Sequence, residues 1–150
     1  MDKYAGVGTQ TVANPADTTM TLTGIVARRG KLYELIQSQI SAPADITVKT
    51  TVQRITAIGT GTGFTALPLD PSAPGAQLVC NVNHTVEPTY TASAILLEFG
   101  MNQRATFRWV AYPGGEIIIP AVVAEGVGIF TVDVAAAATP DVEVTAHWEE

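Results

Sequence analysis

The segment DVEVTAHWEE, residues 141–150, alternates with a period of two: Val142, Val144, Ala146 and Trp148 fall on one face, and Glu143, Thr145 and His147 on the other. Such alternation marks an extended strand with one buried face. The same period runs through TTMTLTGIVARRG, where Met20, Leu22 and Val26 oppose Thr19, Thr21 and Thr23. It recurs in DITVKTTVQRITAIG, with Ile46, Val48 and Val52 inward and Lys49, Thr51 and Gln53 outward. QLVCNVNHTV, YTASAILLEFG, QRATFRWVAY, EIIIPAVV and GVGIFTVDVA supply further strands. KLYELIQSQIS carries both periods: Leu32, Ile36 and Ile40 every four residues, Tyr33, Leu35 and Gln37 every two. Its tight bounds, Gly30 and Ala42-Pro43, favour a strand. About eight short strands separated by turn signals predict an all-β antiparallel sandwich, jelly-roll-like, in one domain over residues 18–150.

Two segments lie outside this pattern. Residues 1–17 show no period and contain Gly, Asn and Pro, which predicts a mobile terminus or an extended N-terminal arm that docks on a partner. Residues 59–76, GTGTGFTALPLDPSAPGA, combine glycines that weaken a strand with prolines that cannot donate to one. That composition predicts a long surface loop, of the length usually kept for contact or binding. Pro113-Gly114-Gly115 reads as a hairpin connection between two strands.

Charge narrows the partners. The net charge is −6 with eight Lys plus Arg, so the basic footprint of a nucleic-acid binder is missing. Charged residues make up only 15% of the chain against 47% apolar, which points to apolar surface covered by another subunit. No apolar run reaches the roughly 18 residues of a membrane span, and the N-terminus lacks the pattern of a secretory signal. A single Cys80 in an apolar strand reads as a buried thiol.

No chemical constellation stands out. GTGTG resembles a phosphate-cradling loop, but Phe-Thr-Ala-Leu-Pro follows it instead of a helix start. His84 and His147 lie in different strands without Cys or acidic neighbours at ligand spacing. Glu98, Glu116 and Glu143 are isolated. The expectation is a non-enzyme with no catalytic residue, cofactor or metal. In the 107–112 strand Phe107, Trp109 and Ala111 share one face, while Thr106, Arg108, Val110 and Tyr112 share the other. Arg and Tyr beside an aliphatic side chain are the profile of a subunit interface. The rival reading, Trp109 and Tyr112 as a sugar-stacking platform, requires one face, and their parity is opposite.

Read in order, GTGTGFTALPLDPSAPGA, NHTVEPTYTA, NQRATFRWVAYPGGE and the terminal VTAHWEE resemble a family of small structural proteins of tailed-phage virions. The similarity covers about residues 30–150. It implies a β-sandwich cement or decoration protein on the outside of the capsid, made in the host cytoplasm. The implied partners are the major capsid protein and copies of itself, as a homotrimer, with no nucleic acid and no membrane. A head–tail connector, another tail component and a carbohydrate-binding module remain as alternatives. Candidate contacts are Arg104, Arg108 and Tyr112, the loop residues Phe64, Leu67 and Leu69, and Tyr4 of the arm, with both arginines meeting carboxylates or carbonyls of neighbours.

Overall fold

The computed structural model describes residues 1–13, 16–41, 43–133 and 139–150. Twelve strands and no helix are formed among them: β1 (Lys3–Thr11), β2 (Ala16–Thr23), β3 (Gly30–Gln39), β4 (Thr47–Ala57), β5 (Thr60–Phe64), β6 (Leu67–Pro68), β7 (Val79–Val86), β8 (Thr89–Asn102), β9 (Phe107–Val110), β10 (Ile117–Ile119), β11 (Gly126–Asp133) and β12 (Asp141–Glu149). Two antiparallel sheets pack face to face as a β-sandwich. The first runs β10-β3-β12-β1-β6, with β9 also on β3; the second runs β5-β7-β2-β11-β4-β8. The 30–41 segment is therefore a strand over Gly30–Gln39, and the Val/Ala/Trp face of β12 is fully buried between the sheets.

The described residues of the 1–17 segment, 1–13 and 16–17, do not form an arm. β1 pairs with β12 along its whole length, from Lys3↔Glu149 to Thr11↔Asp141, and its first residues pair with β6. Tyr4 is 2% exposed; its ring stacks on Trp148, with centroids 6.2 Å apart, and its hydroxyl donates to the Pro74 carbonyl at 3.0 Å. The physical reason is close approach. Gly6 and Gly8 alternate with the outward residues, and a Cβ on Gly6 would stand 2.6 Å from the Phe64 ring. Glycine thus lets β1 lie flat beneath the second sheet, where a side chain would hold it off.

The 59–76 segment is also not one loop. Residues 60–64 form an edge strand on β7, and Leu67-Pro68 completes the first sheet beside β1. The remaining turn is pinned: the buried Glu150 carboxylate accepts from the Gln77 and Leu78 amides at 2.8 and 3.0 Å. The Pro113-Gly114-Gly115 connection is not a hairpin either. β9 and β10 both pair antiparallel with β3, at Gln37↔Phe107 to Glu34↔Val110 and at Leu32↔Ile117 to Gly30↔Ile119. They are one interrupted strand from which residues 111–116 protrude.

Thr19, Thr21 and Thr23, expected on a wet face, are buried, and so is Thr51. Connection length explains this. β4 reaches β5, and β7 reaches β8, through two residues each, although four strand spacings separate each pair in the sheet order. Four spacings on a flat sheet are about 19 Å, and such a link spans at most roughly 11 Å. The second sheet must curl until its edges approach, turning the threonine face onto itself.

The interior of that curl is polar. The Thr18 hydroxyl bonds to Glu87 and lies 2.6 Å from the Tyr90 hydroxyl. Tyr90 packs edge-on against Phe130 and covers Gly128, where a Cβ would meet its hydroxyl at 2.5 Å. His84 lies 3.2 Å from the Thr18 carbonyl through Nδ1 and 3.3 Å from the Thr21 hydroxyl through Nε2. A neutral ring donating from Nδ1 satisfies both contacts. Val26, expected inward, lies beyond the end of β2 and is exposed.

Between the sheets, Gln37 donates to the Thr50 hydroxyl at 2.7 Å, which meets that of Thr131 at 2.9 Å. Phe99 of β8 stacks on Phe107 of β9 with centroids 3.6 Å apart, joining the two sheets at one edge. Cys80 is buried as expected, and that burial pushes its thiol up to about 12.

Deleting residues 2–11 removes the strand that pairs along its whole length with β12, so the truncated chain is expected to lose its near-UV circular dichroism; a native-like spectrum would contradict this register. Burial depresses the pKa of His84, outweighing the bond to the Thr18 carbonyl and the Glu87 charge, which favour the cation. The unfolded chain then binds more protons than the native one, so stability should fall as pH drops below about 6.5. In thermal melts between about pH 7 and 5, His84→Gln should flatten that slope.

Candidate functional site

The curl closes one face of the second sheet, while the outer face of the first stays open. Strand registers place its residues in two rows. Val110, Glu34, His147, Ala5 and Leu67 form one row across β9, β3, β12, β1 and β6. Arg108, Ile36, Thr145 and Val7 form the row beside it. Leu67 is 72% exposed, Val110 53% and Val7 52%. Apolar side chains thus stand at both ends of the first row and at one end of the second, whose other end is Arg108.

The charges among these residues are internally neutralised. Arg108 Nε donates to Glu34 Oε1 at 2.5 Å, and His147 Nδ1 lies 2.9 Å from Glu34 Oε2. Burial works against the Glu34 carboxylate, but the hydrogen bonds from His147 and Arg108 outweigh it and hold its pKa below the ordinary value. A register shift at His147/Trp148 leaves Tyr33 as an extra residue on β3. Its ring stacks on His147 at 6.2 Å, with Lys3 Nζ 5.4 Å from its centroid. Lys31 pairs with Glu149 at 3.2 Å. Few charges on this face are left seeking a partner.

The sequence candidates divide accordingly. Arg108 and Leu67 lie on this face. Tyr112, 76% exposed, stands on the protruding 111–116 loop, where Gly115 N donates to its carbonyl at 2.8 Å. Leu69, half-exposed, follows β6 and donates its amide to the Lys3 carbonyl at 2.8 Å. Tyr4 is core and no contact residue. Phe64 is also packed against the core, over Gly6. Arg104 is exposed on the β8–β9 turn, its amide held by Asn102 Oδ1 at 2.9 Å. Arg108 already bonds a carboxylate of its own chain, so its Nε is not waiting for a neighbour. Trp109 packs partly buried against the core, away from exposed Tyr112.

Glu34, His147, Ile36, Val7 and Val110 were missed as a set. Their parity was visible strand by strand, but only the register brings them side by side. No family model matches the chain, and no curated relative or solved structure matches it either.

The Glu34 carboxylate has a lowered pKa, so its contribution is present above about pH 4.5 and is lost as pH falls through the lower native value. Denaturant midpoints should therefore drop below about pH 4.5 in the wild type, and less steeply in Glu34→Gln. Equal slopes would mean that the Arg108–Glu34–His147 group adds nothing to folding.

Proposed function

We propose that this chain is a non-enzymatic virion protein that binds the outside of a phage head and stabilises its lattice, as cement or decoration. The observation that carries the reading is the open face of the first sheet: exposed Val110, Leu67 and Val7 beside a neutralised Arg108–Glu34–His147 group. An interface core depleted of unpaired charge, with Arg and Tyr enriched, has this composition. The motif resemblance across residues 30–150 supplies the identity of the partner, a shell of capsid subunits.

Magnitudes say that the face does not act alone. Five strands at about 4.8 Å and two rows at about 7 Å give roughly 24 by 14 Å, near 340 Å². A standard interface takes about 800 Å² from each partner. The flanking loops with Tyr112 and Leu69 extend the patch, and sister copies around a threefold supply the remainder. At about 25 cal/mol per Å² of apolar area, each added contact strengthens the hold, and simultaneous attachment multiplies it.

The test uses heads of the encoding phage stripped of the protein. Added wild-type chain should co-sediment with heads in many copies and raise their resistance to heating. The double variant Val110→Asp/Leu67→Asp, shown folded by near-UV circular dichroism, should bind at least about tenfold more weakly, the scale of 1.4 kcal/mol. Heads that ignore the wild type, or bind both equally, overturn the proposal. A single ring of copies at one vertex would favour a connector.

A further inference from the structure

A second feature lies away from the open face. Between β4, the end of β10 and the start of β11, a cleft of about 420 Å³ is lined by Arg29, Arg54, Ile55, Ile118, Pro120 and Glu125, among others. Its volume falls in the roughly 300–1,000 Å³ range of ligand sites. Arg54 is half-buried, and its Nη1 donates to the Ile118 carbonyl. A guanidinium has five donors, and this is its only hydrogen bond among the described residues. Neither Arg54 nor Arg29 forms an ion pair with Glu125 or any other carboxylate among the described residues. Burial lowers the Arg54 pKa, and no acidic neighbour raises it back. Two cations against one carboxylate leave the cleft one negative charge short, in a chain whose net charge is −6.

Two turns border the cleft. Among the described residues, two of the four non-glycine positions with left-handed backbone flank it: Ala27, φ 68°, next to Arg28-Arg29, and Ala124, φ 65°, next to Glu125. Such strain persists only where surrounding structure enforces it, and it clusters at functional sites. Here the enforcement is visible. Gly24 bridges to Val123 and donates to the Glu125 carbonyl at 3.0 Å, and Arg28 N donates to the Ile25 carbonyl at 3.2 Å. The two turns hold Val26 and Val123 in the open, 73% and 61% exposed.

We propose that this cleft binds a carboxylate-bearing peptide segment of a protein partner, with the acidic side chain on Arg29 and Arg54 and its apolar neighbours on the exposed Val26 and Val123 of the bordering turns. The valines decide between sources of the anion. A free small carboxylate would satisfy the arginines and leave Val26 and Val123 in water, whereas a peptide covers both. The chain's own last residues are engaged, Glu149 with Lys31 and Glu150 with the 77–78 amides, so a second copy does not supply the acid from there. The inference stands independently of the head-binding proposal.

The test is a titration of the full-length ¹⁵N-labelled chain, read at the Arg54 Nε–Hε resonance. Three probes are used: a doubly capped Val-Glu-Val peptide, its Val-Gln-Val counterpart, and isovalerate. The acidic peptide should shift the resonance with a dissociation constant of about 1 mM or tighter. The neutral peptide should bind roughly ten- to a hundredfold more weakly, the scale of a charge-assisted hydrogen bond. Arg54→Gln should abolish the peptide's effect on neighbouring amides. Because Arg54 also bonds the Ile118 carbonyl, Arg29→Gln, which alters only an exposed side chain, should weaken binding about tenfold without touching the fold. Three results overturn the proposal: equal binding of the glutamine peptide, isovalerate matching the peptide, or no shift from any probe up to about 10 mM.

Discussion

Two connections of two residues each govern this molecule. Ile58-Gly59 and Glu87-Pro88 must join strands that lie four places apart in the second sheet. A flat sheet would break them, so the sheet curls, and the curl decides which surfaces remain available. Its threonine face closes over Thr18, Thr21, His84 and Tyr90, whose polar atoms bond one another. Such a network holds one arrangement when its members are partnered and costs heavily when one is lost. The open outer face therefore belongs to the other sheet.

On that open face, charge is handled locally. Glu34 takes Arg108 and His147 together, and Lys31 takes Glu149. A partner need not supply counter-ions there, and desolvating a pre-paired group is less costly than burying a lone one. The Arg54 cleft shows the opposite arrangement, a half-buried guanidinium that forms no ion pair among the described residues. One surface offers shape and apolar contact, and the other offers an unfilled charge. They suit different partners, or different parts of one.

Much of the architecture was legible from period two alone. β2, β4 and β12 carry strong alternation, and their inward residues, Met20, Leu22, Val48, Val52 and the Val142–Trp148 series, are fully buried. β1 was not legible, because its inward positions after Tyr4 are Gly6 and Gly8. Their absent side chains create the fit and erase the hydrophobic signal. β5 hid for a related reason: GTGTGF reads as a turn until its pairing with β7 is known. Thr19, Thr21 and Thr23 were placed in water because threonine on alternate positions ordinarily marks a wet face, and sheet curvature lies beyond any one strand's pattern. Of the candidate face, Arg108 and Leu67 are named by the sequence reading one by one, with Tyr112 and Leu69 on the loops beside it. Glu34 and His147 became a pair only through the β3–β12 register, which composition cannot reveal.

Cys80, sealed between the sheets with its thiol pushed up to about 12, has a use that follows from its isolation. A thiolate is the reactive form, and here it arises only when solvent reaches the interior. The rate at which an alkylating reagent consumes this sulfur in the intact chain therefore clocks the openings of the fold that bare β7 to solvent. The protein carries a built-in chronometer for its own breathing, which could be read before and after a partner settles on either surface.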